Sequence, residues 1–264
     1  GMARIVRIDP ATNSVTWDAA VDVDPAALAA TSDAVWVLDT GTEDAVVRLD
    51  PSNGEEQARL DVGPFFMGSI AAAGDSIWVA GYEEPGSNQG TILRIDPATA
   101  TVTATIDVEG FEPGELAAGS QGLYALGIRR DPETTGSAGG GIVRIDPVGG
   151  EIVARADIPE DEELAVSDDG VFVVGLISPI LRLDPVTLEV IESTRREVHT
   201  MTAAPPGTWG DTARGVTAFD VALDPVVTVP VTSVTGALEL AAGFGSVWML
   251  EGRLGVVVRI RAGA

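Results

Sequence analysis

The chain contains no cysteine and no lysine, and a single histidine. Without cysteine there is no disulfide, no thiolate metal site and no thiol nucleophile. That absence leaves the compartment open, because many exported bacterial chains also lack cysteine. One histidine, His199, cannot supply a multi-histidine metal cluster. All 16 basic residues are arginine, against 40 acidic residues, for a formal charge of −24. Such a surface repels phosphate backbones and anionic membranes, so nucleic acid is excluded as a ligand, while cations and basic partners are attracted. The same charge also serves solubility. No apolar run reaches the ~18 residues that a membrane span needs. The nearest, Val171 to Leu183, is broken by Gly175, Ser178 and Pro179. The chain enters a strand at once with no leader pattern, and Gly1-Met2 reads as a tag remnant. An extracytoplasmic protein whose signal segment has been removed, or a domain of a longer exported polypeptide, therefore stays open.

What the sequence does contain is one cassette, repeated. A strand ending in Arg-Ile-Asp-Pro or a variant is followed by a polar turn, a Val/Thr-rich strand, a Leu-Ala-Ala strand, then Gly/Ser-Asp and an aromatic. The closing Asp falls at Asp9, Asp50, Asp96, Asp146, Asp184 and, in a decayed copy, Asp220, in steps of 41, 46, 50, 38 and 36. The aromatic falls at Trp36, Trp78, Tyr124, Phe172, Trp209 and Trp248, in steps of 42, 46, 48, 37 and 39. Two independent markers keep one beat, and a period near 40 built only from strands marks a β-propeller. The repeat predicts an all-β fold in a single domain over residues 1–264, read as a monomer.

Each unit divides into four strands, A to D from the axis outward. In the second unit these are Met67 to Ala72, Ser76 to Ala80, Thr91 to Ile95 and Val102 to Val108. Strand A is built from small residues, as crowding around an axis requires. Strand B carries the aromatic, a wedge between blades whose polar atom finds a backbone acceptor. Strand C alternates, with Arg7 and Asp9, and their counterparts, on one face. The Asp before Pro starts the C–D turn, and the Arg pairs with it or with the next blade. Six A–B units but seven candidate C strands are present, since Leu254 to Ile260 repeats Ile5 to Ile8. The expectation is six four-stranded blades closed by pairing of N- and C-terminal strands, with seven blades as the alternative.

The wording of the cassette, as in Gly74-Asp75-Ser76-Ile77-Trp78-Val79-Ala80 followed by Thr91-Ile92-Leu93-Arg94-Ile95-Asp96-Pro97-Ala98-Thr99, resembles the bacterial YVTN-type and virginiamycin B lyase-like propellers. The resemblance covers nearly the whole chain. For the enzymatic member, streptogramin lyase, it implies a Glu-x-His where the D–A loop meets strand A, and a Glu fourteen residues after the His to complete a Mg²⁺ site. Glu197-Val198-His199 fits the first half, with Trp209 ten residues on. The fourteenth position is Ala213, the nearest carboxylate is Asp211, and Glu162 stands where that lyase would place another His. The resemblance thus argues against lyase chemistry here.

Function in this architecture sits where the D–A and B–C loops surround the channel mouth. The D–A loops contribute Asp24, Phe65-Phe66-Met67, Glu112, Glu115, Glu160-Asp161-Glu162-Glu163, Glu197, His199 and Thr235. The aromatic cluster anchors a partner or plugs the pore, beside long B–C loops from Tyr82 to Gly90 and Ile128 to Gly141 with Arg129-Arg130-Asp131 at the base of the second. The sequence predicts a non-catalytic recognition module with an acidic loop face near blades two to four, binding a protein or small cationic ligand without a cofactor. The alternative is a metal-dependent lyase or hydrolase in which funnel carboxylates hold Ca²⁺ or Mg²⁺, as in the similar gluconolactonase and regucalcin propellers, with His199 and Glu197 catalytic.

Overall fold

The computed structural model describes residues 2–41, 44–63, 66–82, 88–134, 136–160, 163–175, 179–204, 207–231, 238–251 and 256–261. Every regular element among them is a strand. An N-terminal hairpin pairs β1 (Met2–Asp9) with β2 (Ser14–Asp22). Blade one follows as β3 (Pro25–Ala30), β4 (Val35–Asp39), β5 (Ala45–Leu49) and β6 (Glu56–Asp61). Blade two is β7 (Phe66–Ala73), β8 (Ser76–Tyr82), β9 (Gln89–Asp96) and β10 (Thr101–Glu109), each within two residues of the expected bounds. Blade three comprises β11 (Phe111–Gly119), β12 (Gly122–Arg130), β13 (Ser137–Ile145) and β14 (Ile152–Ile158). Blade four comprises β15 (Glu163–Ser167), β16 (Gly170–Val174), β17 (Ile180–Leu183) and β18 (Val190–Thr194). Blade five comprises β19 (Met201–Ala204), β20 (Gly207–Thr212), β21 (Gly215–Phe219) and β22 (Pro225–Val229). Blade six has β23 (Leu238–Gly243), β24 (Ser246–Glu251) and β25 (Val256–Arg261). The fold is a six-bladed β-propeller in which neighbouring strands of each blade pair antiparallel and the innermost strands β3, β7, β11, β15, β19 and β23 touch in chain order.

The C–D turns show why Asp-Pro recurs. Asp50 Oδ1 accepts the N–H of Ser52 at 2.7 Å, and the Asp50 carbonyl accepts Gly54 N–H at 2.8 Å. The same pair of bonds forms at Asp9, Asp96, Asp146 and Asp184. The decayed copy at Asp220 keeps the job, accepting Ala222 N–H at 3.0 Å. The residue closing the turn is left-handed: Asn13, Gly54, Ala100, Gly150 and Leu188 all have positive φ. Left-handed backbone costs an L-residue with a Cβ about 1–2 kcal/mol, partly offset by the extra freedom that glycine loses on folding. Ala100→Gly should therefore stabilise the protein by roughly 0.5–1 kcal/mol. Differential scanning calorimetry should show a melting point about 1–3 °C higher; an unchanged or lower one would count against strain at this turn.

Blades adhere through the strand B aromatics. Trp36, Trp78, Tyr124 and Phe172 are fully buried, each packed against apolar side chains of the following blade. Trp78 Nε1 donates to the Ala73 carbonyl at 3.2 Å and Tyr124 Oη to the Pro185 carbonyl at 2.6 Å, whereas the Nε1 atoms of Trp36 and Trp209 have no partner. The strand C arginine reaches the next blade rather than its own Asp. Arg94 lies over the Trp78 ring at 5.5 Å and reaches the Val148 carbonyl of the next C–D turn at 3.0 Å. Arg182 likewise reaches the Val221 carbonyl at 2.9 Å. A cation stacked on an indole while bridging two blades ties ring geometry to the repeat.

The ends meet differently from the expected pairing. β25 takes position C of blade six, pairing with β24, and so excludes β1 from that place. The hairpin β1–β2 remains a separate sheet. It occupies the outer, C–D position between blades six and one. Arg7 and Trp17 Nε1 both donate to the Pro51 carbonyl of blade one, and Arg259 of β25 donates to the Pro10 carbonyl of the hairpin. Among the described residues, side chains rather than a shared ladder join the two ends.

The Gly/Ser-rich stretch expected as a long loop from Ile128 to Gly141 is largely a β-ribbon, since β12 and β13 continue to the pair Arg130 and Ser137. The glycines there permit close approach rather than mobility. A Cβ on Gly140 would sit 2.0 Å from the Pro159 carbonyl oxygen, and one on Gly141 would sit 2.9 Å from Arg129 Cγ.

Candidate functional site

Of the residues marked by sequence, Phe65, Asp161, Glu162 and Thr235 lie outside the described residues, as do the side chains of Phe66 and Met67. The backbone of Phe66 and Met67 belongs to β7, opposite Tyr82 and Gly81. Glu112, Glu115, Glu160, Glu163, Glu197 and His199 are placed, and they do not form one cluster. They fall into an inner layer, a set of loop anchors and a rim.

The inner layer consists of glutamates on strand A. Glu115 pairs with Leu126, Glu163 with Val174 and Glu239 with Leu250, in each case two residues past the blade's aromatic, so all three stand at one level of the ring. Burial pushes the Glu115 carboxyl up to about 9, and the charge of Glu163 adds to this; the Leu164 N–H pulls the other way, and Glu239 pushes up again. Glu115 is thus neutral at physiological pH, with Oε2 buried and unpartnered. Glu163 accepts from Thr200 Oγ1 at 3.4 Å. Glu239 had no place in the sequence expectation, yet the signal is there: Glu115-Leu-Ala-Ala, Glu163-Leu-Ala-Val and Glu239-Leu-Ala-Ala share one wording.

The anchors are carboxylates that hold the D–A connections. Glu112 is buried and ion-paired with Arg130, so its charge is answered within blade three. Asp39, near the end of β4, accepts Asp24 N–H at 2.7 Å and an ion pair from Arg59 at 2.7 Å. Burial pushes that carboxyl up, but these bonds and the Gly41 N–H outweigh it and hold it below its usual value. Asp211 does the same in blade five, accepting the N–H groups of His199 and Thr200 at 2.9 Å each.

Asp211 also brings His199 a partner that its spacing from Trp209 concealed. His199 Nδ1 lies 3.2 Å from Asp211 Oδ2, with the imidazole exposed and the carboxylate buried. A His–Asp pair can move a proton when a nucleophile or substrate oxygen stands at the other ring nitrogen. Beside this loop Glu197, Arg196, Thr212, Ala213 and Thr217 help to line a cleft of about 380 Å³. The Ala213 side chain brings no ligand atom to it. Among the described residues no three His, Asp or Glu side chains converge to hold a metal ion. Glu160, at the rim, accepts a hydrogen bond from Ser137 Oγ of the blade-three ribbon.

No helix among the described residues is long and apolar enough to cross a membrane. The sequence matches no family model and no curated protein. Among solved structures, the chain is similar to BamB from Moraxella catarrhalis, with a TM-score of 0.64 and 15% identity over 98% of this chain and 78% of that one. It is similar also to the Kuenenia stuttgartiensis hydrazine synthase, with a TM-score of 0.70 and 17% identity over 98% of this chain and 89% of that one. At these identities the likeness is one of fold, and it places the chain among the β-propellers.

Proposed function

We propose that the protein is a non-catalytic recognition propeller, one domain across residues 1–264, that takes a cationic group of a partner at the loop side of its channel. The cassette wording supports kinship with the YVTN-type, virginiamycin B lyase-like propellers of bacteria, and the BamB-like fold supports reading the ring as a scaffold for protein interaction. The observation that carries the site is Glu115, whose buried Oε2 has no partner while Glu163 and Glu239 stand at the same level. A guanidinium or ammonium entering this layer supplies the missing donor and lets Glu115 ionise, so binding releases a proton and tightens as pH rises. In this reading the loop-face residues Glu160, Glu197 and His199 flank the entry, and Phe65, Phe66, Met67, Asp161 and Glu162 are the further candidates that the sequence adds.

The competing Ca²⁺- or Mg²⁺-dependent lyase or hydrolase is not favoured. Its ligand position is Ala213, and the described carboxylates do not converge at metal distance. The test is calorimetric titration with a tri-arginine peptide at pH 6 and pH 8. Stoichiometric binding should be tighter at pH 8, should fall roughly tenfold or more in Glu115→Gln/Glu163→Gln, in line with the loss of a charge-assisted pair, and should survive the surface change Glu151→Gln. Equal affinity in all three proteins would sink the site.

A further inference from the structure

Three positions that are buried in blade after blade are bare at one place only. The strand A residue facing the preceding blade is at most 6% exposed as Ile70, Leu116, Leu164 and Met201, but Leu28 is 54% exposed. Two residues past the aromatic, Leu38, Ala80, Leu126 and Val174 are at most 2% exposed, but Leu250 is 44% exposed, and its cross-strand partner Val257 is 42% exposed. The residue before the strand C arginine is buried as Val47, Leu93, Val143 and Leu181, whereas Val6 is 45% exposed. All four bare residues border the seam between blade six and the N-terminal hairpin. Among the described residues both strands there have a free edge, because β25 pairs only with β24 and β1 only with β2. Strand C elsewhere is paired on both sides.

The ring itself states what fits. Going outward from β25 the repeat calls for a strand D, and going inward from β1 it calls for strands B and A. A strand D on β25 would cover Val6, as β2, through Val21 and Val23, covers Val47. Strands A and B beside β1 would cover Leu28, Leu250 and Val257, as blade two covers Leu38 and Val46 with Ile70, Val79 and Leu93. We propose that this notch is a strand-acceptor site whose occupant is a partner segment, outside residues 1–264, carrying the D, A and B strands of this cassette in that order. Backbone ladders on β25 and β1 would give affinity, and the alternation of β-branched, small and aromatic residues would fix the register. Arg259, already bridging the seam to Pro10 and Asn13 and stacked 5.1 Å from the Trp248 ring, closes it on the turn side. The argument is continuity: the same blade–blade interface is built repeatedly around the ring and left half-built once. A free edge flanked by apolar side chains is otherwise an aggregation hazard that proteins cover or charge.

The probe is a synthetic peptide copying residues 101–130, which spans β10, β11 and β12 and so presents D, A and B in order. It should bind one to one, blue-shift the fluorescence of the half-buried Trp248, slow hydrogen exchange in β25 and raise the melting temperature. Leu28→Asp and Leu250→Asp, both exposed now and so compatible with folding, should each weaken binding roughly tenfold or more, since each puts a charge where an apolar side chain would be buried. A peptide of the same composition in scrambled order is the control. A second arm joins the 101–130 copy after Ala264 through a Gly/Ser linker, where the ordered copy should raise the melting temperature and the scrambled one should not. No binding in either arm, equal effects of the scrambled sequence, or wild-type affinity in the two Asp variants would overturn the proposal. So would a concentration-dependent dimer that protects β25 by itself, because the notch would then belong to a second copy of this chain.

Discussion

Trp78→Ala is expected to cost about 3–5 kcal/mol, the range for emptying a fully packed aromatic site. Trp78 has no exposed surface and packs in one cluster with Leu116, Leu123 and Ala125 of the next blade. Its loss also strands the Arg94 guanidinium, which now stacks on the indole while holding Ser76 Oγ at 2.8 Å and the Val148 carbonyl. Since whole domains are stable by only about 5–15 kcal/mol, one such change consumes much of the margin. Trp248→Ala is the matched control. It removes the same side chain from the same cassette position, but Trp248 is half-buried at the open seam, so it should cost less than half as much. Urea denaturation of both variants checks the pair. Equal costs would mean that the seam is as well packed in solution as the other interfaces, and the bare positions there would lose their meaning.

The fold was legible because its determinants are local and repeated. Asp-Pro at a fixed beat specifies a turn through the carboxylate bonding two residues ahead, and each copy does this independently, so that even Asp220, without the following Pro, remains readable. The aromatics were legible for the same reason. What the repeat could not state was how the ends meet, because β1 and β25 carry the same Val-Arg-Ile wording and compete for one description. The arginine bridges decide it: Arg7 reaches blade one and Arg259 reaches the hairpin, which gives each strand its own place. The ribbon from β12 to β13 misled through composition, since Ile128 to Gly141 read as a long loop, yet Gly139 to Gly141 are required where Arg129 and Pro159 press on the backbone.

The candidate site was legible in part. Glu115 and Glu163 were visible as D–A residues, but their common level with Glu239 comes from register, a property of pairing partners rather than of neighbours in sequence. Glu112 and Glu115 looked alike three residues apart. The register shift between Pro113 and Glu115 separates them, giving one to Arg130 and the other to the acidic layer. The His199–Asp211 contact was hidden because it joins a residue of the connection ahead of β19 to the far end of β20.

Glu115→Gln should make the protein more stable at high pH and leave it nearly unchanged at low pH. The sign follows from the direction of the shift. In the unfolded chain the carboxyl titrates near its ordinary 4.5, and in the folded protein it titrates at about 9. Between those values the folded state holds a proton that the unfolded state has lost, so stability falls as pH rises through that window, by at most about 1.4 kcal/mol per pH unit. Below pH 4.5 both states are protonated and the group contributes nothing to the pH dependence; above about 9 the loss is complete. Because Glu163 and Glu239 share the strain and can relax, the integrated effect is on the order of a few kcal/mol rather than the full product. Glutamine keeps the acceptor for the Leu164 N–H and nearly the same shape while removing the charge, so the difference between variant and wild type isolates this one ionisation. Asp39 supplies the opposite sign within the same molecule. Its carboxyl is held below the ordinary 3.8, so the stability that it contributes is present above that value and lost as pH falls. Urea denaturation of wild type, Glu115→Gln and Asp39→Asn at pH 2.5, 4, 6, 7.5 and 9 separates the two behaviours, the Asp39 contribution fading only between pH 4 and pH 2.5. A wild-type-to-Glu115→Gln difference that stays flat from pH 4 to 9 would remove the protonated carboxyl from the channel, and with it the reason for a cation to bind more tightly as pH rises.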